Sequence, residues 1–458
     1  MTLEELQKQK SGAELYGLIG HPLGHSLSPE IHARLMRGSG TVGSYTLIEI
    51  PPGELKAAIP VLRDKTAGFN VTIPHKERII PLLDGLDESA ERYGAVNTVR
   101  NDNGRLTGFN TDAAGFRSAI RQGDIALNGR VLVLGAGGVA RMMAAEAVGC
   151  GAEVEILARS HEKAEAVASF IRGSISGARV KAIKTPEGEY DLLLNGTPVG
   201  MYPKVNAMPV DNGTLERCKA VFDTIYNPYR TKLVLRAMQC GKKAEGGLSM
   251  LAGQAAEAQR IWNGKDTEYS TIQTITEEMQ KILWERFPLC IVLYGFMGSG
   301  KSTAGKLLAT KLGWKFVDLD REIEAMAGMT IPKIFDKYGE SRFREMEGGY
   351  FAIAVHKKKT VLATGGGTLA SLSNIGNLEG TPSIAVFLKA TMPEILKRVG
   401  DGHGRPMLKM DAKTKASLLY ETRLPNYMKA ADITVDADRG TDAVIENIME
   451  SLGWRNRK

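Results

Sequence analysis

Cysteine is scarce and scattered: Cys150, Cys218, Cys240 and Cys290 are the only four in 458 residues, with no C-x-x-C pair and no histidine cluster beside them. Such spacing suggests neither a zinc site nor a disulfide framework, and reduced, mostly buried thiols are the plain reading. Long apolar runs are also missing. No uninterrupted stretch approaches the roughly 20 residues of a membrane span, and the N-terminus has neither the basic start nor the apolar core of a secretory signal. The expectation is a soluble, cytoplasmic protein with no membrane partner. A dense basic stripe interleaved with aromatics is lacking as well; Lys357-Lys358-Lys359 reads as a solvated turn, so nucleic acid is not an expected partner.

The composition is that of a globular protein, with 43% hydrophobic and 24% charged residues. The chain is long for one domain and comfortable for three. The net charge of +7 is unevenly placed: residues 288–458 hold 25 Lys+Arg against 19 Asp+Glu, leaving 34 against 33 before them. The excess cations lie where, as argued below, an anionic nucleotide is expected.

Strand-like apolar runs alternate with helix-period stretches almost throughout, the pattern of α/β architecture, and there is no internal repeat. Strands are predicted near 15–19, 45–48, 68–71, 96–99, 130–134, 153–157, 191–194 and 220–223. Helical spacing covers 250–262 and 271–284. Pro288 cannot continue a helix and Leu289 to Leu293 is a buried-strand run, so a boundary with a very short linker is expected close to Phe287. Further strands follow near 289–293, 315–317, 360–363, 383–388 and 433–435, with a closing helix over 442–452.

Two glycine loops carry the chemistry. After the strand ending at Leu134 come Gly135, Ala136, Gly137, Gly138, Val139 and Ala140. A pyrophosphate needs backbone N–H groups at close range, and glycines opening a helix supply them. At the end of the next strand, where an NAD enzyme places an acid against the ribose, the chain has Ala158-Arg159-Ser160 with Lys163 just beyond. Cations there suit the extra phosphate of NADP; a solvated strand end is the alternative.

The second loop, Gly295 to Thr303, fits the P-loop pattern G-x-x-x-x-G-K-S between a strand and a helix. Backbone amides of Gly298, Ser299 and Gly300 would cradle phosphates, Lys301 would supply a cation, and Ser302 beside Thr303 would offer a hydroxyl to Mg²⁺. Asp318 and Asp320 are read as alternate residues of a strand end that point the same way toward the metal, with a pair of helix-capping acids as the alternative.

Five segments, Gly20 to Pro29, Gly68 to Lys76, Gly94 to Thr98, Gly108 to Asp112 and Gly247 to Gln254, together resemble shikimate dehydrogenase over about residues 1–287. The resemblance implies a substrate lobe over 1–115, a Rossmann-type NADP lobe over 116–250 and helices over 251–287 that return to the substrate lobe. It implies a pocket in which Ser26, Ser28, Asn70, Thr72, Asn97, Asp112, Tyr226 and Gln254 hold 3-dehydroshikimate, with Lys76 and Asp112 as the catalytic pair. Thr197, in the cofactor-facing loop Asn195 to Met201, would meet NADP(H), and Gly247 and Met250 would flank the nicotinamide. Ala158 departs from the family pattern, which has Asn in that place. His21, His25, His32 and His75 fall in motif regions, but loop packing explains each of them, and none is given a catalytic role.

From about 289 to 458 the chain resembles shikimate kinase, on the P-loop, Asp318-Leu-Asp320, Gly339 to Arg344, Thr364 to Thr368, Gly404 to Leu408 and Glu421 to Pro425. This implies a P-loop kinase domain over 288–458 with a parallel sheet, binding ATP with Mg²⁺. Asp318 and Ser302 would serve the metal, and Asp320 would hold and deprotonate the acceptor hydroxyl. Arg344 and Arg423 would bind the shikimate carboxylate, and Gly365, Gly366 and Gly367 would bring backbone against the substrate. Lys301, together with Arg405 on a lid, would stabilise the transferred phosphoryl group. The expected whole is a bifunctional enzyme in which the product of one site is the substrate of the next. A dehydrogenase preferring quinate or NAD, fused to a related small-molecule kinase, and a metabolite-sensing regulator built from enzyme domains are the rivals left open, and oligomeric state is not legible.

Overall fold

The computed structural model describes residues 1–9, 14–24, 26–399 and 412–454. Three sheets organise the chain. The first contains β1 (Leu15–Gly20), β2 (Ser44–Glu49), β3 (Gly68–Val71), β4 (Gly85–Leu86), β5 (Thr98–Asp102) and β6 (Arg105–Phe109), in the order β2-β1-β3-β5-β6-β4. It is mixed: β2, β1 and β3 run parallel, while β5 pairs antiparallel with both β3 and β6. Asn103 and Gly104, both at positive φ, form the two-residue turn between β5 and β6, a loop whose twist matches that of the strands it joins.

The second sheet is wholly parallel, with β7 (Arg130–Leu134), β8 (Glu153–Leu157), β9 (Val180–Ile183), β10 (Tyr190–Asn195), β11 (Cys218–Asp223) and β12 (Lys243–Glu245) in the order β12-β11-β10-β7-β8-β9. The central strand β7 reads Arg-Val-Leu-Val-Leu and is buried at its last four positions, as expected of a strand covered on both faces. The order reverses between β7 and β10, and a crevice at that point, beyond the strands' carboxyl ends, is where such sheets take ligands. The third sheet, also parallel, has the order β14-β15-β13-β16-β17, from β13 (Cys290–Tyr294), β14 (Lys315–Asp318), β15 (Thr360–Ala363), β16 (Ser383–Lys389) and β17 (Ile433–Asp436). The expected architecture, an α/β substrate lobe and a Rossmann-type lobe followed by a P-loop domain with a parallel sheet, is the one observed.

One strand expectation shifts: the run near 96–99 is a strand only from Thr98, and the Val96 amide donates to the Lys76 carbonyl at 2.8 Å while that of Asn97 donates to the Phe109 carbonyl at 3.0 Å. Two compact units result. The first comprises Met1–Pro198, Pro209–Tyr226 and Lys242–Ile282; the second comprises Val199–Met208, Asn227–Gly241 and Leu283–Lys458. The C-terminal sheet therefore shares its unit with two short segments from much earlier in the chain.

Within the first unit, two glycines set the position of two functional side chains. A Cβ on Gly115 would lie 2.5 Å from the Met250 carbonyl oxygen and 2.8 Å from the Gln254 amide nitrogen. One on Gly253 would lie 3.1 Å from the Gly115 Cα. The helices Asp112–Gln122 and Leu248–Asn263 thus meet backbone to backbone, which draws Asp112 and Gln254 together. Two of the four histidines in the motif regions, His32 and His75, are buried packing residues. His32 stacks on Tyr45 with ring centroids 4.0 Å apart and has its Nδ1 2.8 Å from Gln259 Nε2. Burial pushes its pKa down to about 3, so the ring is neutral. His75 is buried with Nε2 2.7 Å from the Ile50 carbonyl, and His25 lies outside the described residues. No described helix is long and apolar enough to cross a membrane.

Candidate active sites

A cavity of about 270 Å³ in the first unit is lined by Ser26, Ser28, Asn70, Thr72, Lys76, Asn97 and Asp112. Tyr226, Gly247, Met250 and Gln254 complete its walls. Every substrate-pocket residue expected from the sequence therefore borders one space. Leu18, Leu23, Val71 and Leu251 form apolar wall that the motifs did not signal.

At its centre Lys76 Nζ donates to Asp112 Oδ2 at 2.5 Å. The other carboxylate oxygen of Asp112 accepts from Asn97 Nδ2 at 2.8 Å, and its backbone N–H donates to Asn110 Oδ1 at 3.0 Å. The carboxylate is thus held on one side by an amide and presents the other side to the lysine. Asn97 is fixed in turn, since its Oδ1 accepts the Thr111 amide at 2.7 Å. Asn70 bonds Thr98 Oγ1 at 2.9 Å and receives the Tyr45 hydroxyl at 2.8 Å. The Ser26 hydroxyl bonds that of Ser28 at 3.0 Å. Thr111 has no motif role, yet it joins Asn97 to Gln254, whose Oε1 accepts its hydroxyl at 3.3 Å.

The first glycine loop leaves β7 at Gly135, where φ is +106° and the amide donates to the Leu157 carbonyl at 2.8 Å. Gly137 caps the helix Gly138–Gly149, and a Cβ there would meet nothing within 4 Å. Open space before the first amides of Gly138, Val139 and Ala140 is the arrangement that receives a diphosphate. Ala136 packs at the edge of the neighbouring core. On the next strand end, Arg159 and Lys163 are exposed, and the Ser160 hydroxyl caps the helix His161–Ser174 by accepting from Lys163 N at 3.3 Å. Thr197 is held by Asn195, whose Oδ1 accepts its hydroxyl at 2.7 Å.

In the second unit Gly295, Gly298 and Gly300 have φ of +148°, +79° and +90°, a backbone that side chains oppose. The loop leads into the helix Lys301–Leu312. Lys301 Nζ donates to the carbonyls of Gly295 and Phe296 at 3.1 and 3.0 Å, within the loop it serves. Ser302 Oγ donates to Asp318 Oδ2 at 2.8 Å, so a hydroxyl and a carboxylate converge at the loop's exit. Ser299 is buried beneath the loop, and Thr303 is exposed on the helix.

Asp318 and Asp320 are not alternate residues of a strand end. β14 stops at Asp318, which caps the helix Leu319–Ala327, and Asp320 sits in that helix's first turn. The two acids are brought close by the bend between strand and helix rather than by strand alternation. Burial above all, then the charges of Asp318 and Glu347, push the Asp320 pKa from 3.8 up to about 6, with Lys301 opposing.

Two members of the glycine triplet, Gly365 and Gly367, are required by what crowds them. A Cβ at Gly365 would lie 2.8 Å from both Asp320 Oδ1 and Glu347 Oε1, and one at Gly367 would lie 2.5 Å from Arg344 Nη1. The Gly366 carbonyl accepts from Arg423 Nη1 at 3.1 Å and from the Tyr427 hydroxyl. Glu347, 1% exposed, accepts from Arg344 Nη1 at 2.8 Å and from Thr368 Oγ1 at 2.6 Å. It is a buried acid that the motifs missed, and its only sequence signal is its place one helical turn after Arg344. Arg405 and the segment Gly404 to Leu408 lie outside the described residues. Among the described residues no group of three or more His, Cys, Asp or Glu side chains could hold a metal by itself.

A lysine and carboxylate in contact within a cavity, beside a dinucleotide-type sheet, define a reductase; a phosphate loop with converging acids and arginines defines a phosphotransferase. Residues 18–99 match the family model of the shikimate dehydrogenase substrate binding domain, and residues 297–453 match that of shikimate kinase. A shikimate dehydrogenase (NADP(+)) of Shouchella clausii is 41% identical over 255 residues, 55% of this chain and 93% of its own. The chain belongs to the shikimate dehydrogenase family and carries a shikimate kinase domain behind it, as a bifunctional enzyme of the shikimate pathway. The solved shikimate 5-dehydrogenase of Thermus thermophilus, in complex with NADP(H) and shikimate, is 36% identical, with a TM-score of 0.54 over 58% of this chain and 99% of its own. Quinate dehydrogenase from Corynebacterium glutamicum, in complex with NAD, is 29% identical, with a TM-score of 0.53 over 57% of this chain and 98% of its own.

Proposed function

We propose that the first unit reduces 3-dehydroshikimate to shikimate with NADPH and that the second phosphorylates shikimate to shikimate 3-phosphate with Mg-ATP. The observation that carries the first half is the Lys76–Asp112 contact of 2.5 Å inside a cavity bordered by Ser26, Ser28, Asn97 and Gln254. Reducing a ketone requires a hydride on carbon and a proton on oxygen. NADPH supplies the hydride when bound. Lys76, held against Asp112, delivers the proton, and Asn97 keeps Asp112 aimed at the lysine. The serines, Asn70, Thr72, Tyr226 and Gln254 bind the acid's carboxylate and hydroxyls. The amides at Gly137 to Ala140, with Arg159, Ser160, Lys163 and Thr197, hold the dinucleotide, while Gly247 and Met250 border the ring.

For the second half, the fit to a nucleotide rests on the positive-φ glycines at 295, 298 and 300 and on the Ser302–Asp318 contact of 2.8 Å. Those two oxygens suit Mg²⁺, which keeps most of its ligands as water and phosphate and supplies charge neutralisation when bound. Lys301 holds phosphate oxygens, Arg344 and Arg423 bind the acceptor's carboxylate, and Asp320 takes the proton of the attacking hydroxyl. A pKa near 6 leaves Asp320 ionised at neutral pH yet more basic than an ordinary aspartate.

Separate knockouts test the assignment. Lys76→Ala should lower dehydrogenase turnover at least about 100-fold while kinase turnover persists, and Lys301→Met should do the converse. Comparable losses in both assays from either variant, or retained turnover where loss is expected, would overturn it.

A further inference from the structure

The Gly366 carbonyl is where the helix Ala412–Ala430 meets the glycine triplet, and two side chains one turn apart on that helix reach it. Arg423 Nη1 donates to it at 3.1 Å, and the Tyr427 hydroxyl donates to the same oxygen. A carbonyl has two lone pairs, so both donors are accommodated at once. Tyr427 is fixed on its other sides. It is 1% exposed, its ring centroid lies 5.3 Å from that of Phe387 and 5.9 Å from that of Tyr294, and its own carbonyl accepts the Tyr294 hydroxyl at 2.7 Å. Tyr294 is the last residue of β13, directly before the phosphate loop. Burial pushes the Tyr427 pKa up to about 12, so the hydroxyl keeps its proton and stays a donor.

A Cβ on Gly366 would come 3.4 Å from the Met297 amide nitrogen and 3.8 Å from the Gly295 carbonyl oxygen, ordinary contact distances. The middle of the triplet thus lies beside the phosphate loop but is not crowded as Gly365 and Gly367 are. The peptide that joins Gly366 to Gly367 has no Cβ on either side to hinder rotation of its plane. Its orientation has to come from what holds its carbonyl. The peptide is planar and trans, so a Gly366 carbonyl turned toward the helix turns the Gly367 N–H away from it. Arg423 alone is a poor anchor, because its donors are the ones offered to the acceptor's carboxylate. The buried phenol carries no charge and can hold the carbonyl throughout.

We propose that Tyr427 is a positioning residue for the acceptor of the phosphoryl group: its hydroxyl sets the plane of the Gly366–Gly367 peptide and leaves the remaining guanidinium donors of Arg423 to the acceptor's carboxylate. The inference rests on Arg423 and the triplet binding shikimate, as proposed above. Because the hydroxyl holds the triplet rather than the phosphate loop, its loss changes the constants of the acceptor and spares those of the nucleotide.

The test is steady-state kinase kinetics of the full chain with shikimate and Mg-ATP, on Tyr427→Phe, Asn426→Ala and Arg423→Ala. Phenylalanine keeps the packed ring and removes only the donor. Tyr427→Phe should raise the KM for shikimate about fivefold, as one lost hydrogen bond would. Its kcat should stay within about threefold, which also shows the kinase folded, and the KM for ATP within about twofold. Asn426 Nδ2 donates to the Ala370 carbonyl at 2.7 Å from the same helix, so Asn426→Ala reports what loosening the helix does by itself. That variant should leave the shikimate KM within about twofold. An unchanged shikimate KM in Tyr427→Phe overturns the proposal, as does a loss of kcat without a rise in that KM. KM values for shikimate and ATP raised alike, or an equal rise in Asn426→Ala, overturn it too. Arg423→Ala separates the two levels: if it leaves the shikimate KM unchanged, the reading of the acceptor site fails; if it raises that KM while Tyr427→Phe does not, only the role of Tyr427 fails.

Discussion

Asp320→Asn should make the kinase unit more stable and catalytically dead, with a gain that depends on pH. In the folded chain the carboxyl holds its proton to about pH 6, against 3.8 ordinarily, mainly because burial penalises the charged form and secondarily because Asp318 and Glu347 are near. Between those two values the folded state binds more proton than the unfolded state, so stability falls as pH rises through that window and the full cost is present above about pH 6. A shift of about two units corresponds to about 3 kcal/mol, and local relaxation reduces what is observed to about 1 to 3 kcal/mol. For a unit of this size that is about 2 to 12 °C in Tm. Asparagine keeps the shape and removes the charge. Thermal unfolding of the full chain, read at pH 4 and pH 8, should show the variant's kinase transition raised at pH 8 and little changed at pH 4. Kinase turnover should fall at least about 100-fold, since no base remains for the acceptor hydroxyl. An equal shift at both pH values, or a loss of stability at pH 8, would refute the argument that ionised Asp320 is held at a cost.

Gly365→Ala places a methyl 2.8 Å from Asp320 Oδ1 and Glu347 Oε1. It should lower kinase kcat/KM about tenfold or more by displacing the base, with reductase constants unchanged in the same preparation. Gly115→Ala forces apart the helices that carry Asp112 and Gln254 and should cost about 1 to 3 kcal/mol of stability; calorimetry together with a raised KM for 3-dehydroshikimate checks it. Arg159→Ala should raise the KM for NADPH about tenfold while leaving that for NADH nearly unchanged, and equal effects on both cofactors would remove the 2′-phosphate from its role.

The strands were legible because most of them are continuous apolar runs closed by turn residues, and both phosphate loops were legible because glycine requirements are local. β6 went unread although Asn103-Gly104 is a strong hairpin signal, since the flanking Arg105 to Phe109 is short and half polar. β12 spans only Lys243–Glu245, with too few side chains to show alternation. Asp320 was assigned to the chemistry but placed on a strand, because a two-residue spacing does not distinguish a strand end from a strand-to-helix bend. Glu347 is hard to single out because a glutamate on a helix is usually solvated, and it is the approach of Thr368 across the fold, with Arg344 one turn away on the same helix, that accompanies its burial. The residence of Val205 and Leu235 in the kinase core is a tertiary fact with no local pattern behind it.

The central claim is that one chain carries a keto acid through reduction and then phosphorylation. Purified protein given 3-dehydroshikimate, NADPH and Mg-ATP should accumulate shikimate 3-phosphate, identified by mass spectrometry. Omitting ATP should leave shikimate, and omitting NADPH should leave the starting acid. Phosphorylated product without NADPH, or shikimate that persists with both cofactors present, would contradict the account.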